Sequence, residues 1–362
     1  MFKNNDRINA QEAVFFLVAT MIEIGSLIDA RLLAQESGTD SWLAYLTGYA
    51  FALPGILAMA ALSRRFYKHG FVQYSRIIVG SWIGGVLSII LAAYWLLVSA
   101  RTLRYECEIT KLTLLDKTPT EVVAFSFLIA AIYIARYGIE PLSRMSLLLG
   151  ISVLPLILLL FAVVIPKAKL DNLLPFMAGG PIPILKAGVK GIADWEEMSL
   201  LFIIVPFLNK PKDVSKGALY ASIVVAFIGI FIITLTISAI GANGAKTSIV
   251  PSVSALSAAE YPGMFIERLP TIFIGLWLMM VLPTIAGLLW AAALVLSQML
   301  GFTEYKPLIM PLVPIIYIIS LIPQNIIGVD KFFRFLIPYG IGILFIIPII
   351  LYTLATIKGV KD

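Results

Sequence analysis

The sequence predicts an all-α integral membrane protein with ten transmembrane helices, arranged as a five-plus-five inverted repeat in a single domain over residues 1–362. Hydrophobic residues make up 60% of the chain and charged residues 13%, whereas soluble domains carry about 25% charged residues. Ten stretches are apolar enough for spans, and acidic residues interrupt the first and the sixth. These observations indicate a transporter-like bundle in which helices 1 and 6 are discontinuous.

The ten predicted spans are helices, because only a helix or a closed barrel satisfies every backbone group in lipid and no alternating barrel pattern is present. They cover residues 10–33, 42–62, 82–104, 121–135, 147–165, 184–208, 218–241, 267–300, 308–322 and 335–357. Prolines at Pro54, Pro155, Pro283 and Pro348 predict kinks, which neighbouring helices in a bundle tolerate.

The first span carries a carboxylate near its middle. Residues 10–33 are 24 residues long, and Glu23 lies roughly 20 Å along them, within a hydrocarbon core about 30 Å thick. An ionised group at that depth is costly, so it usually faces a protein cavity and marks a binding or transport path. The neighbouring Gly25 and Ser26 allow the helix to break there.

The sixth span is interrupted in the same way. Its clean apolar run, 198–208, is 11 residues or roughly 16 Å, which crosses only about half of the hydrocarbon core. The run 194–197, with the sequence DWEE, separates it from the preceding piece 184–193. Three carboxyl groups in four residues do not face lipid, but they fit an unwound segment that lines a water-filled cavity.

Interruptions in spans one and six divide the ten spans into two sets of five, approximately residues 8–165 and 182–358. A repeated unit with an odd number of spans inverts its orientation in the membrane. This is the pattern of inverted-repeat transporters, whose binding site lies between two discontinuous helices.

The predicted site suits a zwitterion. Free N–H groups at a half-helix N-terminus attract a carboxylate, and Gly25, Ser26 and Leu27 are expected to supply them. Carbonyl groups near Gly191, together with Asp194 or Glu197, are expected to hold the amine.

Tyr94 shares a face of the third span with Val98 and Arg101 and is a further candidate for the pocket.

Ordinary structural roles compete with each of these assignments. Glu23 is alternatively a protonated acid bonded to a neighbouring helix, and Tyr94 a packed aromatic. The acidic run is alternatively at the outer interface, with Lys190 and Asp194 forming an i,i+4 pair. Asp29 and Arg31, near the end of the first span, form either an outer gate or a solvated rim. The tryptophans of the eighth span, Trp277 and Trp290, are expected to serve packing or interface anchoring.

Several classes of function are excluded by composition. The net charge of +6 reflects basic loops and anionic lipid, not nucleic acid, because no basic run has interleaved aromatic residues. Cys107 and His69 are the only residues of their types, so neither an intrachain disulfide nor a histidine-based metal site is expected. No cofactor is expected, and no hydrolase, protease or P-loop motif indicates an enzyme. The basic loops 64–76 and 210–216 favour an N-terminus on the inner side.

Sequence segments along nearly the whole chain resemble one family. They are INAQ at 8–11, IG at 24–25, GTDSW at 38–42, RF at 65–66, Tyr74, Gly80, TP at 118–119, ARYGIEPLSR at 135–144, NLLP at 172–175 and IERL at 266–269. Their order and spacing are similar to those of the permease-like B subunit of bacterial spore germination nutrient receptors, within the amino acid–polyamine–organocation superfamily.

The resemblance implies a ten-helix inverted-repeat fold in the spore inner membrane or bacterial cell membrane, and recognition of a small amino acid or similar germinant. It also implies two partner subunits, one in the membrane and one a lipoprotein. Gly25 falls on the family's break in helix one and Glu197 on its acidic position in helix six. The sequence departs from the family at Asp29, where an apolar, proline-containing continuation is usual, and at the extra acids of the run 194–197. A proton- or sodium-coupled amino acid transporter is the alternative function.

Overall fold

Helices account for almost all of the chain in the computed structural model, which describes residues 7–259 and 269–361. They are α1 (Ala10–Met21), α2 (Gly25–Ser37), α3 (Ser41–Arg65), α4 (Phe71–Val79), α5 (Ser81–Thr113), α6 (Thr120–Tyr137), α7 (Ile139–Ala162), α8 (Pro181–Lys190), α9 (Leu201–Ile204), α10 (Val214–Thr247), α11 (Pro251–Ala258), α12 (Leu269–Leu300), α13 (Lys306–Leu321), α14 (Ile326–Ile341) and α15 (Ile347–Ile357). A 3₁₀ segment, Gly191–Leu200, joins α8 to α9, and a π-helical turn, Gly342–Ile346, joins α14 to α15.

Seven helical stretches in the described ranges are long and apolar enough to cross a membrane. They are Gly25–Arg65, Ser81–Thr113, Thr120–Tyr137, Ile139–Lys167, Pro211–Thr247, Leu269–Leu300 and Ile326–Ile357. Two further apolar helices, Ala10–Met21 and Lys306–Leu321, are shorter. The predicted spans one and six do not appear as single long helices because both are interrupted, and the second half of span one runs on into span two. The chain is a multi-pass membrane protein.

Several helices extend beyond the predicted spans where charged side chains are paired within the protein. Helix α5 continues nine residues past the predicted end at 104, and Arg104 Nη2 lies 2.6 Å from Glu108 Oε1 along it. Helix α7 begins at Ile139 instead of 147, with an ion pair between Glu140 and Arg144 in its first turns. The predicted start of the eighth span at 267, and residues 266–268 of the family resemblance, lie outside the described residues.

Helix α12 packs against α1, α5, α6 and α7, while α10 packs against α1, α2 and α3. Trp277 and Trp290 of α12 are fully buried, which confirms that they are packing residues. The chain before α1 is fixed by Ile8, whose N–H donates to Phe207 O at 3.0 Å. The two interrupted spans therefore lie side by side in the bundle, next to α5 and α14.

Candidate functional site

The first interrupted span breaks between α1 and α2. Helix α1 ends at Met21, Ile22 has φ −85° and ψ 70°, and α2 begins at Gly25. A break leaves carbonyl groups without helical donors, and such groups must find partners inside the protein. Glu23 O accepts from Trp277 Nε1 at 2.9 Å and from Ser26 Oγ at 2.8 Å. The predicted break in the first span is confirmed.

The second interruption is a tightened helix, not the unwound segment that the sequence predicted. Residues Gly191–Leu200 form a 3₁₀ helix, and α9 has only four residues after it. Such long 3₁₀ runs are uncommon in the middle of a helix and often mark a hinge. Trp195 holds the segment against α3, since its ring lies 4.8 Å from that of Tyr49 and 6.0 Å from that of Tyr45.

Arg101 of α5 joins the two interruptions. Its Nη2 lies 2.6 Å from Glu23 Oε1, and its Nη1 lies 2.6 Å from Glu196 Oε1. Glu23 Oε2 also accepts from Thr102 Oγ1 at 2.9 Å, and the guanidinium carbon lies 5.1 Å from the centre of the Phe333 ring. All three charged side chains are buried. One buried cation therefore bridges the break in the first span and the 3₁₀ segment of the sixth.

Tyr94 contributes to this cluster from about two helical turns before Arg101 on α5. Its hydroxyl donates to Glu196 Oε2. A Cβ at Gly340 of α14 would lie 2.5 Å from the Tyr94 hydroxyl oxygen, so the hydrogen bond depends on a glycine there. Tyr94 is not among the residues that line the cavity between the breaks; it lies beside the wall and orients Glu196, which does line it.

A cavity lies between the two interruptions, and we call it the central cavity. It encloses about 640 Å³ of empty space, counting the part that is open to solvent. Of the predicted site residues, it brings together Glu23, Gly25, Ser26, Asp194 and Glu197.

Leu27 and Gly191 do not line the central cavity. Leu27 is fully buried and its N–H donates to Ile24 O at 2.9 Å, so it offers no donor to a ligand. Gly191 lies in the wall of an adjoining cavity. The predicted N–H donors at this end therefore reduce to Gly25 and Ser26, the first two residues of α2, whose N–H groups have no carbonyl within the helix to bond to.

Two acidic side chains on the wall remain without a charge partner in close contact. Glu197 is 2% exposed, and its Oε1 has no hydrogen-bond partner in the described parts of the chain; the nearest cationic nitrogen, Arg101 Nη2, is 3.9 Å away. Asp29 is 6% exposed and makes neither a hydrogen bond nor an ion pair to any described residue. Burying an unpartnered carboxylate is costly, so the cavity is suited to a ligand that supplies a cation.

The adjoining cavity, here called the vestibule, shares Asp29 and Asp194 with the central cavity and encloses about 840 Å³, again counting space open to solvent. An ion pair between Lys190 and Glu36 links α8 to α2 at its wall. The expected alternative pairing of Lys190 with Asp194 is therefore wrong, because Glu36 of the neighbouring helix takes the lysine. The two cavities therefore adjoin at the carboxyl groups of Asp29 and Asp194.

The solvated rim expected at Asp29 and Arg31 is also wrong. Both side chains are buried, and Arg31 Nη2 lies 2.9 Å from Asp330 Oδ1 of α14. Asp330 also accepts from the Tyr105 hydroxyl. The sequence places both residues near the end of the first span, where a solvated rim is expected, but Asp330 of α14 pairs with Arg31 inside the bundle.

Comparison with known proteins places this geometry in context. The spore-permease family, described as "Spore germination protein", matches residues 7–329. Spore germination protein YndE of Bacillus subtilis (strain 168) is 27% identical over 332 residues, covering 90% of each chain. Spore germination protein A2 of the same organism is 23% identical over 97% of this chain and 96% of its own. GerQB of Bacillus cereus is 25% identical over 86% of each chain.

Solved transporter structures share the fold. Mhp1, a nucleobase-cation-symport-1 family transporter in a closed conformation with bromovinylhydantoin bound, aligns with a TM-score of 0.68 and 16% identity, over 93% of this chain and 76% of its own. MhsT in complex with L-phenylalanine aligns with a TM-score of 0.65 and 17% identity, over 97% of this chain and 89% of its own. The chain thus shares its fold with these two proteins, and the family match over most of the chain shows that this protein belongs to the spore germination protein family.

Proposed function

We propose that the protein is the nutrient-sensing membrane subunit of a spore germination receptor, and that a small amino acid or similar germinant binds at the breaks of helices 1 and 6. The observation that carries the proposal is the buried Glu197, whose Oε1 accepts no hydrogen bond from any described residue, in a cavity lined by both interrupted spans. Family membership supports a role in germination, and the transporter fold supports a small ligand at this place.

The architecture belongs to the same proposal. We propose ten spans in two inverted sets of five, residues 8–165 and 182–358, with α1–α2 and α8–α9 as the equivalent interrupted spans. Seven long stretches are consistent with ten spans, because each interruption shortens a helix and α13, with 16 residues, is shorter than a full span. The two halves would then enclose the ligand between equivalent helices.

Signalling needs only a ligand that binds two arrangements of the bundle with different affinity. In the present arrangement Glu197 and Asp194 face the central cavity, and Arg101 holds Glu23 to Glu196. An ammonium group bound to Glu197 would add a second cation between the breaks and favour the arrangement in which they lie close together. The change would pass to partner subunits through α14, which contributes Phe333 and Asp330 to the cluster.

The proposal is tested by purifying the chain with and without the two expected partners, a larger membrane subunit and a lipoprotein. The receptor function predicts that all three co-purify and that the chain alone, in liposomes, takes up neither radiolabelled L-alanine nor radiolabelled 1,4-diaminobutane above protein-free vesicles. Uptake by the isolated chain, driven by a proton or sodium gradient and without any association with partners, would contradict it and favour a coupled transporter.

Replacing Glu197 with glutamine keeps the shape of the side chain and removes its charge. We expect the half-maximal germinant concentration to rise roughly five- to 150-fold, the equivalent of about 1–3 kcal/mol for a hydrogen bond to a buried charged group. The measurement is a germination dose–response in spores that carry the variant. Glu304→Gln is the matched control, since Glu304 is exposed and lies outside both cavities. An unchanged dose–response for Glu197→Gln would remove this residue from the site.

A further inference from the structure

The Asp29 carboxylate lies at the N-terminal end of α2, where a ligand carboxylate was expected. A Cβ added at Gly25 would lie 2.8 Å from Asp29 Oδ2 and 3.3 Å from its Cγ. Asp29 is one helical turn after Gly25, so its side chain folds back over the first turn of its own helix. Asp29 accepts no hydrogen bond from the N–H groups of Gly25 and Ser26, but the positive end of the helix dipole favours an anion at this position, and the chain itself provides one.

The charges around the central cavity are unequal. Five carboxyl groups line it, from Glu23, Asp29, Asp194, Glu196 and Glu197, against a single guanidinium from Arg101. Arg101 lies 2.6 Å from both Glu23 and Glu196, so its charge is already shared between two acids. Within the described ranges, Asp29 and Asp194 have no cation within ion-pair distance, and Glu197 has only Arg101 at 3.9 Å. The cavity lacks positive charge, and it has no cation free to bind a ligand carboxylate.

Access to the unpartnered acids is from the vestibule. Asp29 and Asp194 line both cavities, so a ligand that enters through the vestibule meets these two carboxyl groups first and Glu197 behind them. The vestibule wall carries three carboxyl groups, from Asp29, Glu36 and Asp194, against two basic side chains: Lys190, which pairs with Glu36, and Arg334, which donates to the neutral Gln35 at 3.2 Å. This excess of one negative charge favours a positively charged molecule on the route as well as in the cavity.

We propose that the ligand is an organic amine without a carboxylate, such as an alkyl diamine, and that Asp29 takes the place that the carboxylate of a zwitterionic amino acid would occupy. One ammonium group binds between Asp29 and Asp194, and the other binds Glu197. This inference rests on the proposed function, because it places the ligand at the same two breaks and defines its chemical class.

The experiment measures binding of 1,4-diaminobutane and of L-alanine to the purified full-length chain in nanodiscs by isothermal titration calorimetry at pH 7. The wild-type chain is expected to bind the diamine at least about tenfold more tightly than L-alanine. Asp29→Ala is expected to weaken diamine binding at least about tenfold. It is also expected to strengthen L-alanine binding, because it frees the N-terminal end of α2 for the carboxylate of the amino acid. Asp29→Asn, which keeps the shape of the side chain, is expected to weaken the diamine without admitting L-alanine.

A wild-type preference for L-alanine, absence of diamine binding, or diamine binding unchanged in both Asp29 variants would overturn the inference. Elution volume and melting temperature equal to wild type show that each variant is folded.

The two proposals can fail independently of each other. Tight L-alanine binding that is lost in Glu197→Gln would leave the site at the breaks intact and reject only the amine class. Failure to associate with partner subunits would reject the receptor function and leave the amine preference unaffected.

Discussion

Arg101→Met is expected to destabilise the protein more than any other single change at the site. The substitution leaves Glu23 and Glu196 buried without their cation, and breaking one buried ion pair by removing a partner costs about 3–5 kcal/mol. Because one guanidinium serves two carboxylates, the loss is expected at the upper end of this range or beyond it. We expect a sharply lower melting temperature in detergent, measured as the loss of the monodisperse peak in size-exclusion chromatography after heating. We also expect less of the variant protein in the membrane.

The matched control is Arg104→Met on the same helix. Among the described residues Arg104 pairs with a single acid, its i,i+4 neighbour Glu108, whose side chain is 17% exposed; its loss leaves one partly solvated carboxylate instead of two buried ones and is expected to cost less. The triple variant Arg101→Met, Glu23→Gln, Glu196→Gln also neutralises the two acids that bond to Arg101 and is expected to recover most of the lost stability, since neither acid is then left charged without its cation. Equal destabilisation by Arg101→Met and Arg104→Met, or no recovery in the triple variant, would show that Arg101 does not hold the breaks together.

Gly25→Leu is expected to abolish the germinant response while the protein remains in the membrane. Even a Cβ at this position would contact Asp29 Oδ2 at 2.8 Å, and the longer side chain projects at the wall of the central cavity. The carboxylate can swing away into the cavity, so the fold survives but the ligand space is lost. The measurements are the germination response of spores carrying the variant and the amount of the protein in their membranes.

Gly275→Leu provides the control for a glycine-to-leucine change within the bundle. Gly275 lies in α12, and a Cβ there would meet nothing within 4 Å. It is expected to respond to germinant as wild type does. A normal response from Gly25→Leu would remove the first break from the binding site, and disappearance of the variant from the membrane would show that Gly25 is required for folding instead.

Much of the fold is predictable because membrane spans follow from long apolar runs, and the two interruptions follow from charge placed inside such runs. Glu23 and the acidic run 194–197 have no stable place in lipid, so their presence alone indicates breaks. Helix ends were less predictable. The sequence ends the third span at Arg104, but α5 continues because Arg104 is neutralised by Glu108 one turn later, and such pairing inside the protein depends on the surrounding helices.

The cavity at the two interruptions was predictable in its location but not in the contacts of its walls. Glu23, Gly25 and Glu197 do lie on one cavity, because each sits at an interruption. Arg101, by contrast, was placed only on a face with Tyr94, and nothing in the local sequence shows that it reaches two acids, 78 and 95 residues away along the chain. The sequence did contain one signal for this contact: an arginine late in an apolar span, in a chain whose interrupted spans carry more acids than bases. Arg31 was expected at a solvated rim because its partner Asp330, on α14, comes 299 residues later in the chain.

The most direct test of an acidic cavity between two broken helices is the reactivity of a cysteine at Ser26. In a Cys107→Ser background, which removes the single native thiol, Ser26→Cys is treated in detergent with a cationic aminoethyl and an anionic sulfonatoethyl methanethiosulfonate. The rate of each reagent at Ser26→Cys is divided by its rate at the exposed position Thr303→Cys. The normalised rate of the cationic reagent is expected to exceed that of the anionic reagent at least about tenfold, since a concave site lined by one sign of charge concentrates the opposite ion. A thiol at Ser26 that does not react, or that reacts equally with both reagents, would contradict the account.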